Sequence, residues 1–172
     1  MTSRFALALA SGLVLSSGIA RAADVRPDVA KTITTDYALG CTAALDPSDA
    51  NLDAAFSYYS PDFVDVDTKG KKHTRDETVT IAKQQMKQLH TTACEPAVVS
   101  ETLNADGTIT VVTTVHVAGT VEYPDGSKHD LDVNAKAQDT WKQVGSAWQE
   151  SQSQALHTIV KVDGNVVQDE GQ

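Results

Sequence analysis

The chain has 172 residues, 41% of them apolar and 22% charged, with a formal net charge of −9. The first 22 residues hold Arg4 and Arg21 and no acid, so without them the net charge falls to −11. That balance argues against nucleic acid or an anionic membrane as a partner, because a phosphate-binding surface needs clustered Lys and Arg, and the one basic run, Lys69 to His73, reads as a solvated turn beside Gly70.

Arg4 followed by the apolar run Phe5 to Ala20 and the small residues of Ala20-Arg21-Ala22 reads as a secretory signal peptide, residues 1–22, cut before Ala23. The run is too short and too rich in Ser and Gly for a good membrane span. Residues 23–172 are then one exported domain, periplasmic or secreted, with no membrane attachment after cleavage and a length that suits a single core. The two cysteines, Cys41 and Cys94, read as a disulfide in an oxidising compartment, with two buried thiols as the alternative.

Pro27 fits a first helical position, and Val29, Ile33, Tyr37, Cys41 and Leu45 follow at helical spacing, so a helix is expected to end near Asp46-Pro47. Ser48 caps a shorter helix through Leu52, Ala55, Phe56 and Tyr59, which Pro61 is expected to stop. Phe63 to Asp67 alternates as a strand, Lys69-Gly70 turns, and Thr74-Arg75-Asp76-Glu77 is a capping box opening a helix through Val79, Ala82, Met86 and Leu89. After Pro96 four strands are expected, near Ala97–Asn104, Thr108–Tyr123, Lys128–Gln143 and Ala147–Val162, with a polar tail from Asp163. Turns at Ala105-Asp106-Gly107, Pro124-Asp125-Gly126 and Val144-Gly145-Ser146 separate them. Consecutive long strands joined by short turns form an antiparallel meander that must twist and curl.

Turn chemistry sets the register. Pro124-Asp125-Gly126 pairs Tyr123 with Ser127, hence Val117 with Val133 and Val111 with Asp139; Ala105-Asp106-Gly107 pairs Glu101 with Val111. One face then carries Ile109, Val111, Val115, Val117, Val121, Leu131, Val133, Ala135, Ala137 and Trp141, and is assigned to the helices and a pocket. The other carries Thr110, Thr114, His116, Asp132 and Lys136. On the last strand Glu150, Gln152 and Gln154 share the phase of Trp148 and Val160. A turn at Val144-Gly145 sets Asp139 opposite Glu150, and a shifted one sets it opposite Gln152. Either way Glu101, Asp139, Glu150 and Gln152 form a polar row on the inner face. Paired buried carboxyls push one pKa upward and can serve as general acid or base. The competing reading has Asp139 simply bonding the sheet to the helices.

The order of elements resembles the SnoaL-like branch of the nuclear-transport-factor-2-like superfamily, which includes ketosteroid isomerases. The resemblance is carried by Tyr58-Tyr59-Ser60-Pro61-Asp62-Phe63-Val64-Asp65-Val66-Asp67, Gly70, the capping box, and Asp139-Thr140-Trp141-Lys142 with Gly145 and Trp148. It implies an α+β cone, a cystatin-like or SnoaL-like α+β barrel: a curled four-stranded meander plus a short hairpin, packed by three helices around a pocket. It implies that Tyr37 sits where isomerases place an oxyanion donor, that their base lies near Asp65, and that a homodimer through the open sheet face is compatible with the fold. Tyr59, Phe63, Glu101, Val111, Val117, Trp141 and Gln152 are the expected ligand contacts. Asp139, Glu150, Asp65 and Tyr37 are the candidate catalytic groups.

No His or Cys spacing suggests a metal, and no nucleophile elbow, phosphate loop or dinucleotide fingerprint suggests a cofactor. Two functions remain: an exported module that binds a small molecule or dimerises, and a cofactor-independent isomerase, cyclase or dehydratase working through pocket carboxylates.

Overall fold

A computed structural model describes residues 25–171. The expected signal peptide and its cleavage point lie outside the described residues. Helix α1 (Pro27–Leu45) starts on Pro27, whose missing N–H costs nothing in the first turn. Its buried side is Val29, Ile33, Asp36, Ala43 and Ala44, whereas Leu45 is half exposed. A strict four-residue spacing advances about 40° per step beyond a full turn, so the stripe drifts off the core before Leu45. Helix α2 (Asp49–Ala55) is capped by Ser48, whose hydroxyl accepts from the Asn51 N–H. It ends at Ala55, earlier than expected, and Pro61 lies inside strand β1 (Tyr59–Val66).

A turn at Gly70, with φ of 81°, leads to β2 (Lys72–Thr74). The Thr74–Glu77 capping box then opens α3 (Arg75–Gln88). Strand β3 (Leu89–Leu103) begins eight residues ahead of the expected start, and Pro96 lies within it, opposite Val115. Proline is tolerated there because β3 is an edge strand that pairs only with β4, so one side of its backbone needs no ladder. The meander continues through β4 (Ile109–Glu122), β5 (Lys128–Val144) and β6 (Ala147–Val162). The chain then turns at Asp163-Gly164, both with positive φ, into β7 (Asn165–Gly171), which pairs with β6 where a polar tail was expected.

The sheet order is β2-β1-β6-β5-β4-β3, with β1 parallel to the first half of β6 and β7 antiparallel to the second half. This is the expected α+β cone, with the hairpin and β7 completing its wall. The turn-derived register holds: Val111 faces Asp139, Val117 faces Val133 and Glu101 faces Val111. The odd-numbered face of β4 and β5 turns toward the helices, where Ile109, Val111 and Trp141 close one end of the cone against Val29 and Ile33. Ala43, Leu52, Ala55 and Phe56 form a second cluster under α2. Between them the interior is open.

Candidate functional site

The opening begins with small side chains. Asp36, Gly40 and Ala44 follow one another at helical spacing on α1, so the helix face that carries the acid is otherwise nearly bare. Facing it are Thr113, Val115 and Val117 of β4, Ala137 and Asp139 of β5, and Glu150 and Ser153 of β6. Tyr59 and Met86 close the sides. The cavity holds about 320 Å³. A second cleft of about 490 Å³ shares Ala44, Met86 and Val117 with it and runs on between α3 and the sheet over Val121, Leu131, Val133 and Val160. Volumes of this order suit a small organic ligand.

Three carboxyls meet at the polar end, and their surroundings differ. Asp139, 3% exposed, accepts hydrogen bonds from the Tyr37 hydroxyl (2.7 Å), the Ser153 hydroxyl (2.7 Å) and the Thr113 hydroxyl (3.3 Å). Burial raises its pKa, and these three donors pull it back down by favouring the charged form. Asp36, 5% exposed, has one carboxyl oxygen with no partner; burial, with the neighbouring Asp139 charge adding to it, pushes its pKa up to about 7. Glu150, 3% exposed, is pushed well above the carboxylate range by burial and then by Asp139, Asp36 and Asp65. Among the described residues nothing donates a hydrogen bond to its carboxyl. The cluster therefore holds one carboxyl whose charged form is braced by three hydroxyls and two whose burial favours the protonated form.

A β-bulge decides which residues reach this end. Trp141 faces Glu150 and Thr140 faces Gln152, so Ser151 is the extra residue and Asp139 faces Ser153. Neither expected partner of Asp139 is its partner. Gln152 is carried to the outer phase with Thr140 and does not line the cavity, and Ser153 takes its place.

The other sequence-derived residues lie at different depths from the cavity. Tyr37, Tyr59, Val117, Asp139 and Glu150 line the cavity, and so do Cys41 and Cys94, joined as a disulfide with Cα atoms 5.4 Å apart. Val111 and Trp141 are fully buried at the closed end, and Phe63 lies behind Tyr59, the rings stacked at 3.9 Å, so these three support the wall without forming it. Glu101 is half-buried on the edge strand, away from the lining. Asp65 pairs in register with Ser153, placing it on the inner side of the sheet two strands from Asp139; burial raises its pKa and the adjacent His73 opposes that. Tyr37 donates to Asp139, so its hydroxyl is spent on a carboxylate instead of standing free for an oxyanion.

Asp36, Thr113 and Ser153 were not picked out from the sequence. Asp36 carried a readable signal, since it lies seven residues after Val29 and three after Ile33, a polar residue on an apolar stripe. Thr113 shares the odd phase of Val111 and Val115. Ser153 was hidden by the bulge.

At the far end of the sheet, Ser127, His129 and Asp163 fall in a hydroxyl–imidazole–carboxylate line at 2.8 and 2.7 Å. The backbone N–H groups that could stabilise an oxyanion there are spent: Gly126 donates to the Tyr123 carbonyl and Ser127 to Asp125. The Ser127 hydroxyl also lies 2.6 Å from Asp125. The array ties two turns together. Among the described residues no group of three or more His, Cys, Asp or Glu is arranged to hold a metal ion.

No family model matches the chain, and no curated protein matches it. Solved structures do. A conserved protein from Planctomyces limnophilus superposes with a TM-score of 0.62 at 13% identity, covering 80% of this chain and 99% of its own. A candidate scytalone dehydratase from Novosphingobium aromaticivorans gives 0.60 at 11%, covering 84% and 92%. An NTF2-like protein from Cytophaga hutchinsonii gives 0.55 at 16%, covering 77% and 98%. At these identities the likeness speaks to architecture, and the chain has the NTF2-like, cystatin-like α+β fold.

Proposed function

We propose that this is an exported small-molecule-binding domain whose ligand occupies the cavity between α1 and the curled sheet. The observation that carries the reading is Asp36: a buried carboxyl with an unpartnered oxygen on the wall of an otherwise largely apolar cavity. Leaving a buried polar atom unpaired costs about 1–3 kcal/mol, a cost that a bound ligand would remove. Export is supported by the N-terminal signal pattern and by the disulfide, which forms in oxidising compartments.

Gly40 supplies the test. A Cβ placed there meets nothing within 4 Å, and Gly in a helix interior costs about 0.5–1 kcal/mol relative to Ala. Gly40→Ala is expected to raise stability by about that amount in urea titration. Gly40→Leu projects into the cavity and is expected to abolish the binding of small apolar probes, followed by thermal shift and by the fluorescence of an apolar dye, with the far-ultraviolet circular dichroism unchanged. Undiminished dye and ligand binding by Gly40→Leu would show that the cavity is not the site.

The split carboxyl environments favour a second reading, general acid–base catalysis, in which Asp36 or Glu150 exchanges a proton while Asp139 stays charged. The neighbour named for a dehydratase is compatible with it. Turnover lost in Asp36→Asn with ligand affinity retained would favour catalysis over binding alone.

A further inference from the structure

The hydroxyl donors of the cavity wall are unevenly shared among its carboxyls. Tyr37, Thr113 and Ser153 all commit their hydroxyl protons to Asp139. Asp36 and Glu150 remain with an unpartnered buried oxygen and an unbonded carboxyl, both groups more than nine-tenths buried. Among the described residues neither the cavity nor the adjoining cleft is lined by a Lys, Arg or His. Nor is the cluster arranged for a metal ion. A partner from outside the protein that brings hydrogen-bond donors and positive charge would complement it in the charged form.

We infer that the ligand is an organic cation, a primary or secondary amine on a mainly hydrocarbon body, with its ammonium among Asp36, Asp139 and Glu150 and its body along the apolar cleft. The inference rests on the binding role proposed above and specifies the ligand class. An ammonium carries two or three donors and no acceptor, which is the complement of this wall. The hydrocarbon part runs past Met86 and Val117 toward Leu131, Val133 and Val160, surface whose burial contributes about 25 cal/mol per Å². A carboxylate ligand would meet like charge in a low-dielectric site, and an alcohol of the same shape would leave oxygens unpaired. The acidity of the whole chain also favours the approach of cations.

The groups facing the ammonium are Asp36 and Tyr37 from α1, Tyr59 and Asp65 from β1, Asp139 from β5 and Glu150 from β6, with His73 beside Asp65. The lining residues from α2, α3, β3 and β4 carry no charge. Because Asp36 and Glu150 are largely protonated at low pH, an amine must displace their protons, so its affinity rises with pH.

The experiment is calorimetry on the full mature protein with three probes of one shape: 3-phenylpropylamine, 3-phenylpropanol and 3-phenylpropanoate. At pH 7.5 the amine is expected to bind at least about tenfold tighter than the alcohol, and the carboxylate weakest. Amine affinity should fall about tenfold or more from pH 8 to pH 5, with proton release seen as a dependence of the heat on buffer ionisation, while the alcohol stays flat. Asp36→Asn and Glu150→Gln, each close in shape to the residue replaced, should erase the amine preference and keep alcohol binding. Alcohol binding equal to or tighter than amine overturns the cation assignment and leaves the cavity-binding role standing. Binding of none of the three by a protein that also fails the apolar-dye assay overturns both. An amine preference that survives both substitutions places the cation elsewhere and overturns the assignment as well.

Discussion

Between pH 5 and pH 8 the ligand-free protein is expected to lose unfolding free energy, about 2–3 kcal/mol of it through Asp36. Its carboxyl titrates near 3.8 when exposed and at about 7 when folded. Between those values the folded chain binds a proton that the unfolded chain has released, so stability falls as pH rises through the interval. Above the folded value the full cost of a buried charge is present. Glu150 and Asp139 are raised as well, chiefly by burial, and act with the same sign. The acids whose values are lowered, such as Asp62 beside Lys142 and Asp132 beside His116, act with the opposite sign, but only below their ordinary values near 4. They leave the window above pH 5 clear. His116, raised by Asp132, loses its favourable charge above about its ordinary value of 6.5, which deepens the decline. Urea titrations at pH 5, 6, 7 and 8 measure the slope, and Asp36→Asn isolates one source: the variant should match or exceed wild type at pH 8 and show a shallower trend by about that amount. A wild-type stability that is flat or rises toward pH 8 would contradict the buried acid cluster. Titration of a saturating amine should reverse the wild-type trend, since the bound cation favours the charged carboxyls.

Where structure could be read from the sequence, local chemistry was responsible. Pro124-Asp125-Gly126 is a turn whose loop length sets the pairing all along β4 and β5, so Val111 opposite Asp139 follows from three residues at a hairpin tip, while Ala105-Asp106-Gly107 sets the pairing from Leu103 to Ser100, where a bulge shifts it. The Thr74–Glu77 box is likewise local, and so is the helix started by Pro27. What could not be read depends on distant partners. The bulge at Ser151 coincides with the stretch where β6 gains β1 as a second, parallel neighbour, and alternation along β6 alone carries no trace of it. Strand β3 could extend upstream through Pro96 because it ended up at the edge of the sheet, a fact of topology. Two features were legible and passed over: Asp163-Gly164, a two-residue hairpin turn of the favoured type, and Asp36 on the stripe of α1. Asp36 adjoins Tyr37, and both side chains reach the interior because the cavity is wide enough to take both flanks of the helix. The site was thus half visible as Asp139, Glu150 and Tyr37, while Asp36, with its unpartnered buried oxygen, stood one residue from Tyr37.

Removing the Cys41–Cys94 bridge is expected to cost about 3–4 kcal/mol, the largest single loss argued for this chain. The bridge spans 53 residues, and chain-entropy reasoning gives about 4 kcal/mol for closing a loop of that size in the unfolded state. The paired Cys41→Ala and Cys94→Ala variant, compared with wild type in urea with and without reductant, measures it; Ala avoids adding a hydroxyl to the wall. A loss under about 1 kcal/mol would mean that α1 is held by packing alone. The placement of the bridge argues otherwise. Helix α1 is anchored near its start by Val29 and Ile33 against Trp141, and near its end by Ala43 against Leu52. Its middle, around Asp36 and Gly40, faces open volume and makes few apolar contacts with the sheet. There the disulfide ties α1 to β3 from within the cavity wall. A covalent clamp at this level lets the fold keep a cavity where a core would otherwise be needed. The unbridged variant should therefore lose amine affinity by more than its global destabilisation requires, because the residues it loosens first are those that carry Asp36.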